Sequence, residues 1–254
     1  MHTPTRHNGP AFSLAELMIA VAVIGLLAAL LMPALAAAME AANRTACASN
    51  LHQIGLAMQL YLKDHDGWFF PLREPVDGGT LWYFGYESSG SVATGEGNRT
   101  LDRTRAKLYP YLGDYETVEI CPAFPYTGPY KAKYRTKWWT YGVNRHLADH
   151  FQGHNIGEVR NQDASRTVLF ADAAQVNTWQ APASRQNPLV EEWFYIERRG
   201  RMVQFRHGGL ANALMADWHV EALPPAERSL HPYLTGQQIG YFDDDRVLYK
   251  PLGG

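Results

Sequence analysis

Charge is scarce in this sequence. Asp, Glu, Lys and Arg make up 19% of its 254 residues, against roughly 25% in typical soluble domains. The 23 basic and 25 acidic residues nearly cancel, leaving a net charge of −2. A chain that binds nucleic acid by neutralising phosphates needs a surplus of Lys and Arg, so no nucleic-acid partner is expected. Familiar catalytic signatures are also missing: there is no His-Glu-x-x-His, no Gly-x-Ser-x-Gly and no phosphate-cradling glycine loop. Nor is there a long-period repeat or a low-complexity tract that would argue for a solenoid or for disorder. Cysteine is limited to Cys47 and Cys121.

Apolar residues, by contrast, make up 46% of the chain, although its mean hydropathy is −0.30. Both figures hold only if the apolar residues are concentrated, and they are: no residue from Leu17 to Met39 is charged. As a helix this run reaches roughly 34 Å, enough to span a bilayer. Arg6 ahead of it and the small-x-small triplet Ala34-Leu35-Ala36 fit a secretory signal peptide. However, the run from Leu17 to Pro33 is longer than the usual apolar region of such a signal, and Glu16 abuts its start. A carboxylate at a membrane edge is expensive and normally has a partner.

The stretch Ala11-Phe12-Ser13-Leu14-Ala15-Glu16-Leu17, the apolar run and Pro33 together resemble the processing site and N-terminal helix of type IV prepilins and type II secretion pseudopilins. The resemblance implies cleavage between Ala11 and Phe12 by a prepilin peptidase and N-methylation of Phe12. It also implies assembly through Glu16 and Pro33 with other pilin or pseudopilin subunits on an inner-membrane platform. Alanine at position 11 departs from the glycine that the family prefers before the cut. If the Phe12 amine of one subunit meets Glu16 of a neighbour in apolar surroundings, each charge offsets the other's desolvation. The simpler role for Glu16 is to favour the positive end of the helix dipole.

Beyond Met39 the helical pattern continues. Cys47, Leu51, Ile54, Met58 and Tyr61 or Leu62 recur at helical spacing among Glu40, Asn43, Arg44, Asn50, Gln53, Gln59 and Lys63. One helix is therefore expected from Phe12 to Lys63, ended by Asp64, Asp66 and Gly67. All seven tryptophans follow it, amid Gly and Pro punctuation. Strands are expected at 117–120, 138–143, 167–172, 192–196, 203–206, 211–216 and 219–222, with 77–105 as a surface excursion. The expected fold class is α+β, with a long N-terminal helix packed on an antiparallel sheet head, and the resemblance makes it pilin-like. The corresponding organisation is a leader at 1–11, a transmembrane and polymerisation helix at 12–39, its amphipathic continuation at 40–64 and a head at 65–254. The resemblance implies a single-pass protein of the bacterial inner membrane, with its head outside the cytoplasm and no catalytic role.

Outside the cytoplasm an even cysteine count invites a Cys47–Cys121 disulfide, the alternative being two buried thiols that never meet. His207 and Asp217 match a C-terminal His-x9-Asp-Gly motif of one branch of pilin-like proteins, except that Trp218 replaces the glycine. Tryptophan resists positive φ, so a looser turn is expected there. His207, Asp217 and His219 also have the residue types of a metal site, with Asp172 as a further ligand. That set supports the competing class, an exported or membrane-anchored metal-dependent hydrolase or binding protein holding zinc or manganese. The alternative is that His207 and Asp217 bond across a hairpin. Asp243-Asp244-Asp245 suits calcium or a solvated loop. Trp138-Trp139, beside Lys131, Lys133, Arg135 and Lys137, suits a glycan surface or the wet face of an edge strand.

Overall fold

The computed structural model describes residues 13–243 apart from 114 and 150–152. Ala11 and Phe12 of the cleavage motif, and Asp244 and Asp245, lie outside the described residues. The fold is α+β, with one long N-terminal helix followed by small sheets. The chain divides between Ala42 and Asn43 into two compact units.

Helix α1 runs from Leu14 to Asp64 with Pro33 inside it. It opens with a capping box: Ser13 Oγ accepts the Glu16 N–H at 3.2 Å, and Glu16 Oε2 accepts the Ser13 N–H at 2.9 Å. Every large apolar side chain from Leu14 to Met39 is half exposed or more. This is the one helix among the described residues that is long and apolar enough to cross a membrane. Farther along, Cys47, Leu51, Ile54, Met58, Tyr61 and Leu62 are buried, the face that the spacing predicts. The helix ends where Asp66 and Gly67 take positive φ, 50° and 80°, and the Gly67 N–H donates to the Leu62 carbonyl at 2.7 Å.

A meander follows, β1 (Arg73–Val76), β2 (Gly79–Trp82) and β3 (Gly85–Ser88), then the short helices α2 (Ser89–Ala93) and α3 (Tyr115–Val118). The main sheet includes β4 (Tyr141–Asn144), and helix α4 (Ile156–Asp163) leads to β5 (Val168–Asp172). Next come β6 (Gln175–Asn177), β7 (Leu189–Glu191), β8 (Tyr195–Ile196), β9 (Val203–Gln204), β10 (Ala211–Met215), β11 (Val220–Leu223) and β12 (Ile239–Gly240). The main sheet has the order β11-β10-β5-β4-β8 and is antiparallel except for the parallel pair β4 and β8. Strands β6 and β7 form a separate ribbon, as do β9 and β12.

Three expectations are corrected. Residues 117–120 form no strand: α3 and the residues after it are held against α1, with Asn50 Nδ2 donating to the carbonyls of Thr117 and Ile120 at 3.3 and 3.1 Å. The stretch 77–105 is no plain surface excursion. It carries β2, β3 and the buried Tyr83 and Phe84, whose rings meet Trp139 and Trp138 at 5.6 and 4.8 Å. The strand expected from Trp138 begins only at Tyr141, because both tryptophans are spent in the core, each 1% exposed.

The buried face of α1 therefore packs on an aromatic core, and each apolar side chain on it contributes roughly 1.5–3 kcal/mol. Leu51→Ala and Ile54→Ala are expected to cost about 2–5 kcal/mol each. Leu60→Ala, at a site that is 51% exposed, should cost under about 1 kcal/mol. Denaturant unfolding followed by tryptophan fluorescence measures the contrast, since all the tryptophans lie beyond the helix.

Candidate metal centre

Four buried side chains from four separate segments converge: Cys47 on α1, Cys121 between α3 and β4, Asp172 at the end of β5 and His207 just before β10. Their donor atoms all lie within 4.8 Å of one another. Cys47 Sγ is 3.1 Å from Asp172 Oδ1, His207 Nε2 is 3.3 Å from Asp172 Oδ2, and Cys121 Sγ is 3.5 Å from His207 Nε2. Both cysteines are free thiols. The structure thus brings together the two residues of the expected disulfide without a bond between them.

Local geometry explains how each donor is aimed. His207 and Leu210 exchange backbone hydrogen bonds across Gly208 and Gly209, whose φ values of 63° and 83° suit a two-residue turn that side chains with a Cβ would strain. The Cys121 N–H donates to Thr140 Oγ1 at 2.7 Å. The Tyr141 hydroxyl donates to Cys47 Sγ at 3.5 Å, and the Asn212 N–H of β10 donates to Asp172 Oδ2 at 2.8 Å. Arg206 is buried alongside, its Nε 3.8 Å from Asp172 Oδ1, its Nη2 donating to the Ala173 carbonyl at 2.7 Å and its guanidinium 4.9 Å from the Phe124 ring.

The electrostatics follow from this packing. Burial raises the Asp172 pKa, but the Arg206 charge and the hydrogen bond from His207 outweigh it and hold the carboxyl below its usual range. Burial pushes the Cys47 thiol well up. Burial acts on Cys121 in the same sense, but the hydrogen bond from Cys47, with Arg206 and His207, overcomes it and brings the thiol down. The two thiols are thus pushed in opposite directions, leaving Cys121 the more acidic of the pair.

The expected set of His207, Asp217 and His219 does not form. Strand β10 separates His207 from Asp217 by roughly 17 Å at about 3.4 Å per residue. Asp217 and His219 instead pair with each other on the exposed β10–β11 turn, Oδ1 to Nδ1 at 2.5 Å. Asp172, the added ligand in the sequence reading, is the member that joins His207. The turn itself is tight, because Trp218 takes φ of 77° and its N–H donates to the Met215 carbonyl at 2.9 Å. The two cysteines were missed as ligands because helical and strand spacing places them without showing that they meet a histidine and an aspartate.

A second buried polar network corrects the reading of the Lys131–Trp139 region. Lys131 is 3% exposed, with its Nζ 2.6 Å from Glu96 and 3.2 Å from Glu191. Gln175 and Asn177 donate to the two Glu191 oxygens at 2.5 and 2.7 Å. Lys133 lies 5.2 Å from the Trp193 ring centroid, and the buried tryptophans present no glycan-binding face. Next to this network the Tyr130 hydroxyl donates to Glu192 Oε1 at 2.7 Å, and burial pushes the Glu192 carboxyl up to about 7.

Comparison with protein-family models, with curated proteins and with solved structures finds no match to this chain.

Arg206→Met, which removes the guanidinium beside the buried Asp172, is expected to cost roughly 3–5 kcal/mol, whereas Asp217→Ala in the exposed pair should cost under about 1 kcal/mol. Chemical denaturation at neutral pH distinguishes the two. Glu192 generates a pH dependence of defined sign. Its folded pKa lies above its ordinary value, so the folded state keeps a proton that the unfolded state releases, and stability falls as pH rises from about 4.5 to 7. Glu192→Gln should remove that fall, making the variant more stable than the parent at pH 8 by up to roughly 3 kcal/mol and nearly equal to it at pH 4. Unfolding midpoints across that range provide the measurement.

Proposed function

We propose that the chain is a pilin-like structural subunit of a type II secretion pseudopilus or type IV pilus-like filament. In this role it is cleaved before Phe12 and N-methylated there by a prepilin peptidase, then held by its apolar helix in the bacterial inner membrane with the head outside the cytoplasm. The observation that carries the proposal is the division of labour along α1. The helix is apolar and bare from Leu17 to Met39, and from Cys47 onward one face is buried. An apolar helical surface left exposed among the described residues needs lipid or neighbouring helices. Filament assembly supplies the first before polymerisation and the second after it.

Glu16 supports the same reading. Among the described residues its carboxylate is paired to Ser13, whose hydroxyl donates to it at 2.7 Å on an exposed helix end. That pairing is light enough to be exchanged for the amine of an adjacent subunit. The hydrolase alternative rests on His207, Asp217 and His219, and His207 is buried away from the exposed Asp217–His219 pair, so no specific observation favours it.

Intact mass and N-terminal sequencing of the protein extracted from bacterial membranes test the proposal. The expected product starts at Phe12 with a methylated amine. A chain starting near Ala37, or one keeping its leader, would sink it. Glu16→Ala should leave membrane insertion unchanged and reduce recovery in sheared filaments by roughly tenfold or more, the loss of a desolvated ion pair being worth at least about 1.4 kcal/mol.

A further inference from the structure

We infer that Cys47, Cys121, Asp172 and His207 bind a zinc ion that fastens α1 to the main sheet. The inference stands apart from the pilin-like proposal, because it concerns the folded head and holds whether or not the chain polymerises.

The geometry is already close to that of a zinc site. Zinc bonds of about 2.3 Å to sulfur and 2.0–2.2 Å to nitrogen or oxygen place tetrahedral ligands about 3.3–3.8 Å apart. The observed separations are 3.5 Å for Cys121 Sγ to His207 Nε2, 3.3 Å for His207 Nε2 to Asp172 Oδ2 and 3.1 Å for Cys47 Sγ to Asp172 Oδ1. These contacts use both Asp172 oxygens, and with one donor atom per residue all four donors lie within 4.8 Å of one another, so a shift of about an ångström draws them onto one ion. Two thiols with an imidazole and a carboxylate form a borderline-soft set, suited to zinc and poor for calcium or magnesium, which take oxygen ligands.

Charge supports the same ion. Zinc entry forms two Zn–S bonds and one Zn–N bond and displaces to solvent any proton still held by either sulfur or by His207 Nε2, so two thiolates and the Asp172 carboxylate contribute three negative charges. The divalent ion and the buried Arg206 guanidinium contribute three positive ones, leaving the interior neutral. Outer hydrogen bonds hold the ligands in place: the Tyr141 hydroxyl on Cys47 Sγ and the Asn212 N–H on Asp172 Oδ2. All four ligand residues are buried, at most 2% exposed, so a bound ion has four protein ligands and no solvent-facing position. Such closure is the mark of a structural zinc rather than a hydrolytic one. The ion's place in the fold gives it a mechanical role. It ties Cys47 of the helix to the ends of the strands, through bonds that span 160 residues of chain from Cys47 to His207.

Elemental analysis of the full chain, purified in detergent under reducing conditions without chelator, tests the inference. About one zinc ion per chain is expected, falling at least fivefold in Cys121→Ser and in Asp172→Asn. Because those variants can lose their fold along with the metal, the parent protein is also stripped and loaded with Co²⁺. Thiolate-to-cobalt charge transfer in the near ultraviolet, with the intense visible bands of a tetrahedral site, is the expected spectrum. A metal content below about a tenth of an ion per chain, a cobalt spectrum without charge transfer, or, in protein extracted without reductant, a metal-free mass lighter by the two thiol hydrogens would overturn the inference. The last of these outcomes reports a Cys47–Cys121 disulfide instead.

Discussion

A carboxylate cut off from water sets the terms for the head of this protein. Asp172 ends the central strand β5 with no exposed surface, and an ionised group in that position costs several kcal/mol unless it is paired and hydrogen-bonded. That is a large share of the roughly 5–15 kcal/mol of net stability available to a domain. Its partners come from everywhere except its own strand: Cys47 from α1, the Asn212 N–H from β10, and Arg206 and His207 from the segment leading into β10. Satisfying one side chain thus obliges the helix, the sheet and a C-terminal turn to meet at one point.

Around that point the apolar packing is generous. The face of α1 from Cys47 to Leu62 meets aromatic side chains from the meander and from the segment before β4, including Tyr83, Phe84, Trp138 and Trp139. Tyr83 shows how burial and polarity are reconciled there: its ring stacks on Phe70 at 5.0 Å, and its hydroxyl donates to the Phe194 carbonyl at 2.5 Å. The Glu192 carboxyl, buried beside Tyr130, is left without such generous pairing and is pushed toward neutrality instead. Buried charge is tolerated where several segments surround it with donors and suppressed where they do not.

Legibility in the sequence tracks the range of the interaction involved. The helix was readable to within about two residues at each end, because its apolar spacing, its Ser13–Glu16 opening and its Asp66-Gly67 close are local. Strands β5, β10 and β11 were readable as short apolar runs between turns. Residues 117–120 misled because their β-branched character is local, while the Asn50 side chain that holds them comes from the helix. Trp138 and Trp139 misled in the opposite way: their cationic neighbours suggested a wet surface, but Lys131 is buried in an ion pair and Lys133 lies over the Trp138 ring, while Arg135 and Lys137 face outward from a segment whose tryptophans do not. At the candidate centre, His207 and Asp172 were legible as ligand types, and the cysteines only as a candidate bridge.

By itself the sequence determined the two halves of the helix, one apolar and long enough to cross a membrane and one amphipathic. An uncharged run from Leu17 to Met39 has no water-soluble solution that leaves it bare, and the amphipathic stripe that follows requires a partner on one side only. Hydrophobic periodicity is a property of consecutive residues, so it needs no knowledge of the fold. Which polar groups would share the interior was decided by the tertiary structure alone. Cys47, Cys121, Asp172 and His207 are far apart along the chain and carry no common spacing. Their meeting depends on a helix, a strand end and a glycine turn closing on the same few ångströms, and only the packed fold places all three there.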